Sequence, residues 1–165
     1  MLDSGAHFYD VYPCADNQLF SIGPIEGRFH ADLLRHLQID PQLIGEQHDP
    51  RNWPAARRLF AQAFAQRTRA QWCELLEGTD VCFAPVLSFA EAPDHTHLKA
   101  RGTFVEADGV VQPAPAPRFS RTPASTPTAP QAATLAGVNQ ALAGWLNEQR
   151  IGHWTAQGVM GDNPQ

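Results

Sequence analysis

Three groups of residues in this chain are of types that could do chemistry. The first is a lone carboxylate, Glu26, in the stretch SIGPIEGRFHADLLRHL. It sits between apolar Ile25 and the start of an amphipathic pattern. An acid there favours a helix N-terminus, where free N–H groups and the dipole attract an anion. That is the reading composition favours; the alternative is half of a proton-handling site, because Gly23-Pro24 and Gly27 turn the backbone sharply and Ile25 and Phe29 give it an apolar setting that raises a carboxyl group's proton affinity. The second group is the pair in Asp94-His95-Thr96-His97. Two histidines with that spacing chelate a metal from a strand, but this stretch reads as a helix start, where the rings point roughly 200° apart. Solvated surface is the expectation there. The third is Cys14, Cys73 and Cys82, odd in number and without a C-x-x-C pair, which read as small buried apolar residues in a reducing cytoplasm. His7, His30, His36, His48 and His153 are scattered singly, and no serine stands in a G-x-S-x-G turn.

The elements that must hold these groups follow from periodicity. His7 to Tyr12 alternates in the manner of a strand, Ala15 to Gln18 is turn chemistry, and Leu19 to Ile22 reads as a second strand, so the two form an antiparallel hairpin. Phe29, Leu33, Leu34 and Leu37 lie on one helix face, which places Glu26 at the helix start. Ile39 to Arg51 reads as a polar loop. Asn52 caps a helix with Pro54 in its first turn and Leu59, Phe60, Ala63 and Phe64 inward. Thr68 to Gln71 is a capping box for a helix burying Trp72, Leu75 and Leu76, with Gly78 as its stop. Val81 to Leu87 is a buried strand pushed towards an edge or a bulge by Pro85. Ser88 to Glu91 is another capping box, and Asp94 to Arg101 a short helix. Asp108-Gly109 between two β-prone runs is a hairpin signal. Pro113 to Pro130 reads as an extended arm. A last helix runs from about Ala132 to Gln149, and the tail from Gly158 frays. The class is α+β.

Composition excludes several functions. The net charge is −5 with His neutral, Lys99 is the one lysine among twelve basic residues, and no basic cluster exceeds Arg57-Arg58. Nucleic acid and acidic membranes need a concentrated positive face, so neither is an expected partner. No apolar run is long enough to span a bilayer. The bias of arginine over lysine suggests a GC-rich bacterial source.

Two ordered blocks carry a resemblance. MLDSGAHFYDVYPCADNQLFSIGPIEGRF resembles the "NMLDGGAPFY…A-I-E-P-Q-F" stretch of α-methylacyl-CoA racemases, in the family III CoA-transferase superfamily. RTRAQWCELLEGTDVCFAPVLSFAEAPDHTHLKARGTF is similar to that family's "R-T-x-x-E-W…G-T-D-A-C-x-x-P-V-L" block and its "H-x-H-x-x-x-R-G-(T/S)-F" continuation. The match runs from Met1 to about Pro123.

The resemblance implies a small α+β domain at 1–112, an extended Pro-rich arm at 113–130, and a C-terminal helix and tail at 131–165 that would return to a large coenzyme A-binding domain. It implies a truncated product, or a misplaced start, of an enzyme of fatty acid metabolism. That enzyme would epimerise 2-methylacyl-CoA thioesters by α-proton exchange through an enolate, with acyl-CoA as substrate and no further cofactor. The family's histidine–aspartate acid–base pair has no counterpart in this chain. Glu26 matches the family's glutamate and would steady a partner's imidazole across a homodimer or an assembly with a full-length relative. Ile25 would line the acyl pocket, and Gly5, Ala6 and Tyr9 would lie near the thioester. Alone, the chain would be inactive. A family III CoA transferase portion and a non-catalytic assembly module are the rival readings. Three departures bear on activity: Ser4 and His7 stand where the block has glycine and proline, and Gly27-Arg28 where it has Pro-Gln. Gly27 loosens the first turn by up to about 1 kcal/mol, and Arg28 is placed to pair with Glu26.

Overall fold

Asp10–Pro13 (β1) and Leu19–Ile22 (β2) pair antiparallel, with Asp10 opposite Ile22 and Pro13 opposite Leu19. The strand begins at Asp10 rather than His7 because the Tyr9 amide turns back to the Ala6 carbonyl (3.1 Å). Asn17 closes the loop with φ 59°, a conformation asparagine tolerates better than most residues. Phe83–Pro85 (β3) adds antiparallel to the other side of β2, in the order β1-β2-β3. Pro85 thus sits on an edge strand, where a missing N–H is tolerated. The strand is shorter and less buried than its sequence suggests: Val81 alone of that stretch is fully enclosed, and Cys82 turns with φ 54°.

This computed structural model describes residues 1–130 and 134–159. Its contacts divide the chain into two units, Met1–Ala92 and Pro93–Gln165. In the first unit four helices pack with the sheet. Gly27–Leu37 (α1) buries His30, Leu33, Leu34 and Leu37. Phe29, expected inward, is only half-buried, and His30 takes the inner place. Pro41–Ile44 (α2) is a single turn inside the expected loop, capped by the Asp40 carboxylate, which accepts from the Gln42 amide. Trp53–Phe64 (α3) buries Ala56, Phe60, Ala63 and Phe64. Asn52 stands at its N-cap position without capping; its side-chain amide donates to the Glu46 carbonyl (3.1 Å). Arg69–Leu76 (α4) opens with the full capping box of Thr68 and Gln71, and Gly78 follows it at φ 78°. Trp72 and Leu76 are buried, but Leu75 faces solvent.

The core is aromatic at its centre. Tyr12 stacks on Phe64 (5.2 Å), Phe20 on Phe83 (5.2 Å), and Phe64 meets Trp72 edge-on (5.2 Å). Trp72 also donates its indole N–H to the Phe64 carbonyl (2.9 Å), so the buried ring leaves no polar orphan. Arg69 bonds Glu91 and the Val86 carbonyl, tying the chain after β3 to α4. Ser88 and Glu91 do cap each other, but the turn they open is the 3₁₀ turn Ala92–Asp94 and not an α-helix.

The second unit is built from local signals. Thr96–Ala100 (α5) is one turn long. Phe104–Ala107 (β4) and Val110–Pro113 (β5) form the hairpin that Asp108-Gly109 announces, both turn residues having positive φ. Residues 114–130 carry neither helix nor strand, held by Gln112 to the Thr128 carbonyl and Arg118 to the Gly102 carbonyl. The expected long terminal helix is two: Leu135–Leu142 (α6) and Glu148–Ala156 (α7). The break comes where Asn147 caps the second helix, its side chain accepting from the Arg150 amide (2.9 Å). The first residues of the expected helix and the tail beyond Val159 lie outside the described residues.

Candidate functional site

Glu26 stands at the N-cap of α1 with φ −72° and ψ 134°. Its side chain is exposed and makes no cap bond, and among the described residues it has no ion-pair partner. Arg28 does not pair with it; that guanidinium lies 4.3 Å above the Phe29 ring. Cation–π contact keeps Arg28 beside its own neighbour and leaves Glu26 free.

The loop before Glu26 is held from three sides. The Gly23 amide donates to the Cys82 carbonyl (2.8 Å), and the Ile25 amide to the Gly23 carbonyl (2.9 Å). Gln47, from the chain after α2, donates its side-chain amide to the carbonyls of both Pro24 and Ile25 (3.0 Å each). Trp53 in turn donates its indole N–H to the Gln47 carbonyl (2.9 Å). Pro24 is fully buried and Ile25 half-buried. Gln47 is absent from the residues that sequence alone singles out. Its signal would have been a glutamine in a polar loop six residues before a helix-start Trp, which is too common to read.

Beside this loop is a cleft of about 370 Å³ walled by Ser4, Tyr9, Ser21, Gly23, Cys82 and Phe83 among others. Tyr9 packs over Gly23, so that a Cβ there would meet its ring at 3.5 Å. At the cleft's edge Asp10 pairs with Arg57 (2.6 Å), and Arg57 also reaches the Ser4 carbonyl. Ser4 has φ 62°, the left-handed region that glycine occupies without cost. The departure from glycine at this position is therefore strained.

The other sequence-derived candidates fall as follows. Gly5 is exposed, and its amide donates to Asp3 (3.1 Å). Ala6 is fully enclosed within the chain, and Tyr9 is partly exposed at the cleft. The structure thus sets Tyr9 against Gly23 at the cleft and turns Ala6 inward, while Ile25 and Glu26, two and three residues after Gly23, are not part of the cleft's lining. The cysteines divide: Cys14 is buried, Cys73 half-buried, and Cys82 exposed, correcting the expectation of three buried thiols. Burial pushes Cys14 up to about 11, and burial with the nearby Glu26 and Asp80 charges raises Cys82, so neither is poised as a thiolate. His95 stands at the N-cap of α5 and His97 inside it, the helix start expected of them. Among the described residues no three His, Cys, Asp or Glu side chains are arranged to hold a metal ion.

A pair missed by sequence reading lies in the interior of the first unit. His7 and His30 are both buried and their Nε2 atoms are 3.0 Å apart. Phe8 and Phe60 pack against both rings. Burial lowers both imidazoles to about 4, so both are neutral near pH 7. Sequence could not pair two histidines 23 residues apart.

Comparison with known proteins follows the same lines. A family profile described as CoA-transferase family III matches residues 2–135. Alpha-methylacyl-CoA racemase of Mus musculus is 41% identical over 125 residues, covering 75% of this chain and 33% of that protein. The Homo sapiens racemase is 40% identical over the same length and shares. The chain thus spans about a third of the curated relatives it matches. In fold it is similar to the crystal structure of the hypothetical protein Rv3272 from Mycobacterium tuberculosis. There the TM-score is 0.59 at 16% identity, over 81% of this chain and 38% of that one.

Proposed function

Because this chain belongs to CoA-transferase family III, we propose that it supplies one part of an α-methylacyl-CoA racemase-like site, with Glu26 acting in trans. The reaction is α-proton exchange on a 2-methylacyl-CoA thioester. A base removes the proton, the thioester oxygen takes up enolate charge, and an acid returns a proton on the other face. Among the described residues the cleft's lining includes no histidine, so a homodimer partner or full-length relative provides the reacting imidazole. Glu26 accepts that imidazole's N–H, fixes its tautomer and stabilises its charged form, as a carboxylate does for any catalytic histidine. Ile25 and Tyr9 would border the acyl group, and the acyl-CoA needs no further cofactor in this reading. Three free cysteines suit a reducing, cytoplasmic setting.

One observation carries the proposal: an exposed carboxylate, without a partner among the described residues, on a loop pinned by Gln47 and Cys82. A structural helix-start acid has no need of that support. Deuterium exchange into a 2-methylacyl-CoA is the test. The chain alone is expected to give none. Joined with the large-domain portion of a relative, it should exchange, and Glu26→Gln should lower kcat about 10- to 100-fold with little change in KM, the pattern of an interaction made in the transition state. Exchange by the chain alone would refute its incompleteness, and unchanged kcat in Glu26→Gln would remove the role assigned to that residue. A non-catalytic assembly module is favoured over the enzyme by one feature, the exposure of Phe119 and Trp145 in the second unit. It predicts no exchange in either arm.

A further inference from the structure

We infer that His7 and His30 are positioning residues, a neutral histidine–histidine clasp that sets the Gly5–Tyr9 turn against the first turn of α1. The clasp rests on the proposed function only in that Tyr9 and Glu26 border the reaction there. Its geometry stands independently. The His7 ring bonds His30 at 3.0 Å, and its carbonyl accepts from the Tyr12 hydroxyl at 2.7 Å. The His30 amide bonds the Glu26 carbonyl at 3.0 Å, and the Tyr9 amide bonds the Ala6 carbonyl at 3.1 Å. His7 thus lies two residues from Tyr9, and His30 one helical turn from Glu26. A single side-chain bond between them joins the segment that carries Tyr9 to the helix that follows Glu26.

The enclosure assigns the protons. Nδ1 of His7 is buried without a partner. An enclosed N–H lacking an acceptor is rarer and costlier than an enclosed lone pair, so His7 carries its proton on Nε2 and donates. His30 accepts at Nε2 and carries its proton on Nδ1. The groups facing the pair are His48 from the chain after α2, Arg57 from α3 and Tyr12 from β1, and the acid beside them, Asp10, is already held in an ion pair by Arg57 (2.6 Å). Nothing there stabilises an imidazolium, and both rings stay neutral down to acid pH.

Long-range ¹⁵N–¹H spectra of the histidine-labelled chain test this directly. The expected result is opposite tautomers for His7 and His30, neither ring titrating near 6.5. Like tautomers, or an ordinary titration of either ring, would overturn the clasp. Amide exchange gives the positioning readout. His7→Phe should speed Tyr9 amide exchange at least tenfold while the amides of α4 keep their rates. His30→Gln, which retains an acceptor, should hold Tyr9 near its original rate where His30→Leu does not. Equal rates in the Gln and Leu variants, or no change in His7→Phe, would sink the idea. Should a variant fail to fold, the spectra of the unsubstituted chain still decide. Failure of the chain to support proton exchange on an acyl-CoA would count against the enzymatic reading and leave these signals untouched.

Discussion

The two units differ in what holds them. From Met1 to Ala92 the chain buries a continuous core of Tyr12, Phe20, Leu33, Phe60, Phe64, Trp72 and Leu76 with their neighbours. From Pro93 onward the buried hydrophobic residue among those described is Ala129, while Phe119 is 57% and Trp145 87% exposed. The second unit has well-formed local devices: the Asp108-Gly109 hairpin, the Thr134 cap of α6 and the Asn147 cap of α7. Local devices set conformation but supply little of the free energy that burial supplies. The first unit is a domain in the energetic sense, and the second is a set of elements with apolar side chains still facing water. Even in the first unit Phe89 is 99% exposed, so its surface is not closed either.

Substitution of large side chains is the most direct way to break this contrast. Phe64→Ala removes a ring that touches Tyr12, Phe20, Phe60 and Trp72. It should cost about 3–5 kcal/mol in urea unfolding. Trp145→Ala should cost less than about 0.5 kcal/mol. Equal losses would mean that the second unit has a core of its own.

Acid should act on the first unit alone. His7 and His30 have folded-state values near 4 against an ordinary 6.5, so the unfolded chain binds more protons between those limits. Stability is full above about pH 6.5 and falls as pH drops towards 4. Between pH 7 and 5 the loss for the pair should be roughly 3–4 kcal/mol. His7→Phe/His30→Leu should flatten that slope in chemical denaturation at stepped pH, and a slope that survives the double substitution would assign the protons elsewhere.

Smaller effects sharpen the comparison. Ser4→Gly should relieve the left-handed strain and raise the unfolding free energy by about 1 kcal/mol in urea titration. The helix caps offer matched chemistry in unmatched surroundings. Thr68→Ala, in a helix that packs on the core, should cost about 1 kcal/mol of global stability. Thr134→Ala should leave global unfolding unchanged and show itself as a loss of helicity at α6 by NMR secondary shifts.

Much of this was legible because the signals are local. The β1–β2 loop, the Thr68 capping box, the Asp-Gly hairpin and the amphipathic stripes of α1 and α3 all announce themselves within a few residues. The misreadings arose where a tertiary contact overrode the local pattern. His7 reads as the start of a strand, yet its ring is drawn inward to His30 and the strand begins three residues later. Cys82 reads as buried but turns outward where its carbonyl receives the Gly23 amide. The turn of α2 was in fact locally signalled, by Asp40 before Pro41, and a single turn between two helices is easily taken for loop. At the candidate site Glu26 and Tyr9 could be found in the sequence. Gln47 and the histidine pair could not, since their roles exist only through partners more than twenty residues distant.

Gln47 has one further consequence. Its amide grips two successive carbonyls just ahead of Glu26, and the proline between Gly23 and Ile25 is sealed inside. The main chain that offers the acid is arrested before any visitor arrives. Only the side-chain torsions of Glu26 remain to be frozen on contact, a toll of up to about 2 kcal/mol of rotamer entropy. Four loose backbone residues would add about 1–2 kcal/mol apiece. In the role proposed for it, recruitment of that carboxylate would therefore be inexpensive at the moment of encounter, the ordering of its backbone having been completed when the polypeptide folded.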